Sequence, residues 1–187
     1  MSEVADLVRA AAEGDQAAWN ALVDRYNGLV WSVARSHRLG AADASDVVQT
    51  SWLRLVENLG RLQDPERVGA WLATTARREC LRTLRASARQ VPTDELPETP
   101  TDARLDAALL VAERDRALWQ AFGRLSERCQ ALLRILVADP PPSYEEIGAA
   151  LDMPIGSIGP TRQRCLDRLR GLAEGEGVSA TDRREFE

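Results

Sequence analysis

Four arginines, Arg78, Arg82, Arg85 and Arg89, follow one another at spacings of four, three and four residues. On a helix this spacing draws a single line of positive charge along one face. Like charges so placed repel unless an anion answers them, and a phosphodiester backbone is such an anion. All 24 basic residues of the chain are arginine, whose planar fork suits both phosphate and the edge of guanine. Residues 61–90 carry seven arginines against Asp64, Glu66 and Glu79, a local net charge of +4. Residues 154–172 carry Arg162, Arg164, Arg168 and Arg170 against Asp167, a local +3. The whole chain is at −5, so the average hides two basic segments, each a place where phosphate can be met.

Bond-making chemistry finds little to work with. The three cysteines, Cys80, Cys129 and Cys165, lie far apart without a CxxC pair, and there is one histidine. Zinc-ligand spacing is absent, and the cysteines read as three small, buried apolar side chains. His37 falls in the last turn of a helix, with no serine, cysteine or acid at motif spacing. No P-loop or nucleophile elbow is present. No catalytic residue, metal or cofactor is therefore expected. No apolar run approaches the roughly 18 residues that cross a bilayer. MSEVADLVRA lacks the order of a signal peptide. The expectation is a cytoplasmic protein that does not engage a membrane.

The elements that position these residues are helices. Trp19, Leu22, Val23, Tyr26, Val30 and Val33 recur at three and four residues, the stripe of an amphipathic helix. Asp15 is placed to cap it and Gly40 to end it. A shorter helix precedes it over about 4–12, and a third runs from about Asp43 or Ser45 to Leu59. Asp64-Pro65-Glu66 announces a fourth, reaching about Ala88. Residues 90–101, QVPTDELPETPT, hold three prolines and three acids and read as an extended linker. Further helices are expected over about 102–122 and 127–137, followed by a last helical pair. The fold class is all-α. Two small helical domains, 1–89 and 102–172, are joined by the linker at 90–101, and a frayed tail covers 173–187.

That last pair holds the sharpest motif, SYEEIGAALDMPIGSIGPTRQRCLDRLR at residues 143–170. Ser143 and Glu146 form a capping box. Ile147 and Leu151 face inward, Leu151 to Pro154 make a turn, and Ser157 can cap the next helix, with Ile158, Cys165 and Leu169 along one side. A short helix, a tight turn and a longer arginine-bearing helix describe a helix-turn-helix. Thr161, Gln163, Arg164 and Arg168 face away from its core.

Four blocks in order now carry a resemblance: AWNALVDRY (18–26), DASDVVQTSWLR (43–54), WLATTARRECL (71–81), and LSER (125–128) leading into the helix-turn-helix. Over roughly 4–172 the chain resembles the extracytoplasmic-function (ECF) branch of the sigma-70 family, the promoter-recognition subunits of bacterial RNA polymerase. The resemblance implies sigma region 2 at 1–89 and sigma region 4 at 102–172. Asp46 and Gln49 match the family's D-x-x-Q, on a helix that packs on the coiled coil of the polymerase's largest subunit. The implied core-binding set is Asp46, Gln49, Leu53 and Arg54. The −10 element falls to Asn58, Arg61, Arg67, Arg78, Arg82, Arg85 and Arg89, with the loop at about 58–66 holding a base flipped from the non-template strand. The −35 element falls to Ser157, Thr161, Gln163, Arg164 and Arg168. Implied partners are polymerase core, through that coiled coil and the beta flap, and promoter DNA; the resemblance leaves room for an anti-sigma factor. The acidic linker, with Asp94, Glu95 and Glu98, either threads the polymerase's active-site and RNA-exit region or serves as a tether.

By size and by its neighbours Val68 and Leu72, Trp71 belongs in the core. Gly159-Pro160 departs from the family, where polar residues enter the recognition helix; proline is tolerated in a first turn. A stand-alone helix-turn-helix regulator of the response-regulator type is the alternative. Its receiver domain would show βα alternation, and the first domain here reads as all helix.

Overall fold

In a computed structural model the described residues are 3–88 and 116–175. Arg89, the linker at 90–101, the helix start near 102 and most of the tail lie outside them. Every regular element among the described residues is helical. The order is α1 (Glu3–Ala12), α2 (Gln16–Ser36), α3 (Ala41–Asn58), two 3-10 turns (Leu59–Arg61 and Pro65–Arg67) and α4 (Val68–Ser87). Then come α5, helical over 116–123, α6 (Glu127–Leu136), α7 (Tyr144–Leu151) and α8 (Ile155–Gly175).

The chain divides into two compact units. The first takes its described residues from 3–88 and 131–158. Its core gathers Val8, Leu22, Val30, Val33, Leu55, Val68, Leu72 and Ile147, all 2% exposed or less. Burying side chains of this size removes about 1.5–3 kcal/mol of apolar exposure each. Trp19 and Trp52 meet edge to face at 5.7 Å, and Trp52 Nε1 donates to Asn27 Oδ1 at 3.4 Å, which ties α2 to α3. α7 packs on α4 more extensively than any other pair of helices in this unit.

Local signals set most helix starts. Asp15 Oδ1 accepts from Ala17 N at 2.8 Å and Ala18 N at 3.1 Å, satisfying two of the first-turn amides. The capping box is complete: Glu146 N donates to Ser143 Oγ at 3.3 Å and Ser143 N to Glu146 Oε2 at 2.7 Å. Other expectations need correction. α2 stops at Ser36, not Gly40, because Arg38 takes the left-handed conformation at φ 55° and turns the chain early. Gly40 instead precedes α3, which starts two residues ahead of Asp43 without a side-chain cap. Asp64-Pro65-Glu66 opens a 3-10 turn, Asp64 makes no capping bond, and α4 starts at Val68.

The second unit takes its described residues from 116–130 and 159–175. Gln130, 3% exposed, donates from Nε2 to Gly123 O at 3.0 Å and Leu125 O at 2.9 Å, closing the turn between α5 and α6. Trp119 and Phe122 pair edge to face at 5.6 Å. The reading of the cysteines as three apolar side chains is overturned. Cys129 and Cys165 form a disulfide across Cα atoms 5.4 Å apart, and only Cys80 is free and buried. A bridge between residues 36 apart removes about 3–4 kcal/mol of unfolded-chain freedom in the entropic account.

Candidate nucleic-acid and partner interfaces

α3 presents two sides. Val47, Val48, Ser51 and Leu55 are buried, while Asp46, Gln49, Leu53 and Arg54 stand outward together. Leu53 and Val56 are each 57% exposed. Arg54 lies 3.8 Å from Glu57 and 3.7 Å from Glu79, so its guanidinium is steered toward α4. An apolar knob ringed by acid, amide and guanidinium suits docking on another protein's helices.

The turn at 58–67 and α4 enclose a cleft of about 720 Å³. Asn58, Arg61, Arg67 and Arg78 reach it, together with Gln63, Thr74, Thr75 and Trp71. Trp71 therefore departs from its expected place. It is half-buried and lines the cleft, because Val68 and Leu72, both fully buried, already fill the inner face of α4. Arg78, Arg82 and Arg85 are exposed along α4, and Arg82 is 3.5 Å from Glu79. An aromatic ring, amide and hydroxyl groups and several guanidiniums around an open cleft suit an unstacked base and its flanking phosphates.

The opposite wall is one that sequence reasoning missed. α7 supplies Glu145, Gly148 and Ala149, and Met153 and Ile155 follow it. Arg67 pairs with Glu145, and Arg77 Nη2 donates to Asp152 Oδ2 at 2.8 Å. The signal available was the surplus of acid in α7: Glu146 serves the capping box, and Glu145 does not. A Cβ on Gly69 would collide with Glu146 Oε1 and stand 2.7 Å from Tyr26 Cε1. Burial, then the Glu146 charge, raises the Tyr26 hydroxyl above its usual range, against a lowering by Arg25.

The helix-turn-helix is built as expected up to its turn. Ile147 is fully buried, Asp152 takes φ 55°, and Met153 N donates to Gly148 O at 3.0 Å. Ser157 is not the cap of α8. That helix begins at Ile155, and the Ser157 hydroxyl donates back to Pro154 O at 2.7 Å. Pro160 accordingly stands inside α8, beyond its first turn. Gln163, Arg164 and Arg168 are exposed and Thr161 half-buried. Arg164 Nη2 donates to Thr161 Oγ1 at 3.2 Å and Gln163 Nε2 to Asp167 Oδ1 at 3.0 Å, so these polar groups are held along the helix by their neighbours.

Residues 22–90 match the family described as sigma-70 region 2. The RNA polymerase sigma-E factor of Streptomyces coelicolor is 30% identical over 150 residues, 78% of this chain and 81% of that protein. The chain belongs to the sigma-70 family. The ECF RNA polymerase sigma-E factor of Escherichia coli K12 is 25% identical over 163 residues, 81% of this chain and 84% of its own, and places this sigma factor in the ECF branch. Among solved structures, CnrH in complex with the cytosolic domain of CnrY superposes with a TM-score of 0.60 at 22% identity, over 93% of this chain and 99% of CnrH. The sigma factor RpoE of Bartonella quintana, solved with the anti-sigma factor NepR, gives 0.58 at 20% identity, over 83% and 96%. Both share the all-α fold. The protein is an alternative sigma factor directing transcription initiation; the stand-alone regulator is not favoured.

Proposed function

We propose that this sigma factor docks on RNA polymerase core through Asp46, Gln49, Leu53 and Arg54 on α3. Asn58, Arg61, Arg67, Arg78, Arg82, Arg85 and Arg89 then serve the −10 element, and Ser157, Thr161, Gln163, Arg164 and Arg168 serve the −35 element. In this reading 1–89 and 102–172 work as region 2 and region 4 on either side of the linker. The convergence of Trp71, Asn58 and three arginines on one cleft carries the proposal. Capture of an unpaired base there offsets the cost of melting, while arginines hold its phosphates. Sigma then acts without making or breaking a covalent bond, as a cytoplasmic subunit. The RpoE complex with NepR supports an anti-sigma protein as a further partner.

Run-off transcription by core with and without the protein, across a promoter library, tests this. A defined subset of promoters should fire only with the protein present. Failure on every promoter, together with tight binding of the purified chain to duplex DNA, would restore the stand-alone regulator.

A further inference from the structure

Two of the three cysteines are joined, and the bridge lies in the second unit, on the helix assigned to the −35 element. Cys129 stands in the first turn of α6 and Cys165 in the middle of α8. Cys165 is 1% exposed, whereas Cys129 is half-buried. Arg164 is the neighbour of Cys165, and Arg168 follows three residues later. The bridge therefore fixes how α8 turns about its own axis, and with it where these guanidiniums point. Two features make α8 depend on it. Pro160 lies inside the helix; it offers no N–H to the Gly156 carbonyl, which weakens the helix shortly ahead of Cys165. The core of the second unit is also slight. Besides Cys165, its buried apolar side chains among the described residues are Ala121, Leu125, Leu172 and Ala173. A core this small leaves much of the ordering to a covalent staple.

We propose that Cys129 and Cys165 form a reversible thiol switch on promoter binding: bridged, they hold α8 in its DNA-reading pose; reduced, they release it and contact with the −35 element weakens. The inference rests on the −35 reading of α8 and the cytoplasmic placement given above. Cytoplasmic thiol pools keep ordinary cysteines reduced, and the bridges that form there are chiefly transient, catalytic or redox-sensing. Access fits that use. Attack on a bridge goes through the sulfur that can be reached, and Cys129 is the more open side. One thiolate of a dithiol attacks Cys129 Sγ. The S–S bond breaks, and Cys165 Sγ leaves with the electron pair and takes a proton. The dithiol's second thiolate then attacks its own sulfur in the mixed disulfide. Cys129 leaves and is protonated, and the reductant becomes a cyclic disulfide. Hydrogen peroxide reverses the change: the two thiols join and lose two electrons and two protons, the O–O bond breaks, and two waters form. Cys80, fully buried in the first unit, takes no part.

The test uses the full-length protein, reduced with dithiothreitol or oxidised with hydrogen peroxide, freed of reagent by gel filtration without oxygen and then combined with polymerase core. Maleimide labelling in denaturant should count three thiols in the reduced protein and one, Cys80, in the oxidised. Run-off transcription from responsive promoters of the library should be about three- to tenfold stronger with the oxidised form, because its helix is preorganised. Peroxide should restore what dithiothreitol removed. Cys129→Ala combined with Cys165→Ala should match the reduced form under either treatment. Where circular dichroism shows that this variant does not fold, the cycle on the unaltered protein decides alone. The proposal falls if dithiothreitol leaves the thiol count at one, or if peroxide does not return it to one. It falls equally if the count changes and transcription does not, if the reduced form is the more active, or if the variant responds as the unaltered protein does. The −35 reading is judged apart, by Arg164→Ala with Arg168→Ala in the oxidised protein. Loss of transcription upholds that reading even where the thiol switch has failed, and full activity removes it and the proposal with it. No promoter responding to either form overturns both.

Discussion

Leu53 is an aliphatic side chain more than half exposed on a helix whose other leucine, Leu55, is fully buried. Single exposed leucines are ordinary. Here Asp46, Gln49 and Arg54 surround it, and Val56 adds a second bare apolar group. Asp46→Arg with Gln49→Ala should lower affinity for polymerase core by about tenfold or more and leave the melting temperature nearly unchanged, since both side chains are exposed. Unchanged affinity in a pull-down or interferometry titration would remove α3 from the interface. Cys80 is the opposite kind of residue. It is fully buried, and burial first, with the Glu79 charge adding, pushes its thiol from about 9 up to about 12, against a lowering by a backbone hydrogen bond. The native state therefore holds this proton more tightly than the unfolded chain does. The stabilisation is whole below pH 9 and is lost as pH rises toward 12, by up to roughly 1.4 kcal/mol per unit. Unfolding by denaturant at pH 8, 9.5 and 10.5 should show the decline, and Cys80→Ala should flatten it. An equal slope in both proteins would assign the loss to other groups.

At the scale of the element, what was legible in the sequence was what is decided within a few residues. Asp15 and the Ser143–Glu146 box cap their helices as read, because each bond spans two or three residues. Gly40 and Asp64 were equally good local signals and lost to neighbours: Arg38 took the left-handed turn first, and Pro65 led into a 3-10 turn. The Trp71 ring went to the cleft because Val68 and Leu72 had filled the core face. The disulfide and the seating of α7 on α4 join residues far apart in sequence, beyond any pattern along one helix. The arginine line on α4 is legible in both respects, as spacing and as exposure. Arg82→Ala with Arg85→Ala should weaken open-complex formation by a similar factor on every cognate promoter. The salt dependence should flatten by about one unit per lost phosphate contact. Open-complex yields across single-base variants of the −10 element, at several salt concentrations, check this. A changed base preference with an unaltered salt slope would mean these arginines read sequence.

At the scale of the molecule, the proposal sets two DNA-reading regions on one short tether. Twelve residues, 90–101, reach at most about 40 Å. Spacing between the two promoter elements should therefore be held tightly, at two to three turns of DNA. Run-off transcription from templates with altered spacers measures this, and activity indifferent to five added base pairs would contradict it.

The bridge from Cys129 to Cys165 also makes the protein partly a ring. Residues 130–164, with all of α7, the turn and the first half of α8, lie inside a covalent loop. A protease that cuts at exposed Arg162 or Arg164 opens the ring without parting the chain. Limited trypsin digestion of the oxidised protein should leave such nicked molecules running near full length on a non-reducing gel and resolve them into two fragments once a thiol is added. If the piece that follows a cut at Arg162 or Arg164 parts from the rest without reductant, the ring had never closed; cuts outside 130–164 part the chain in either state.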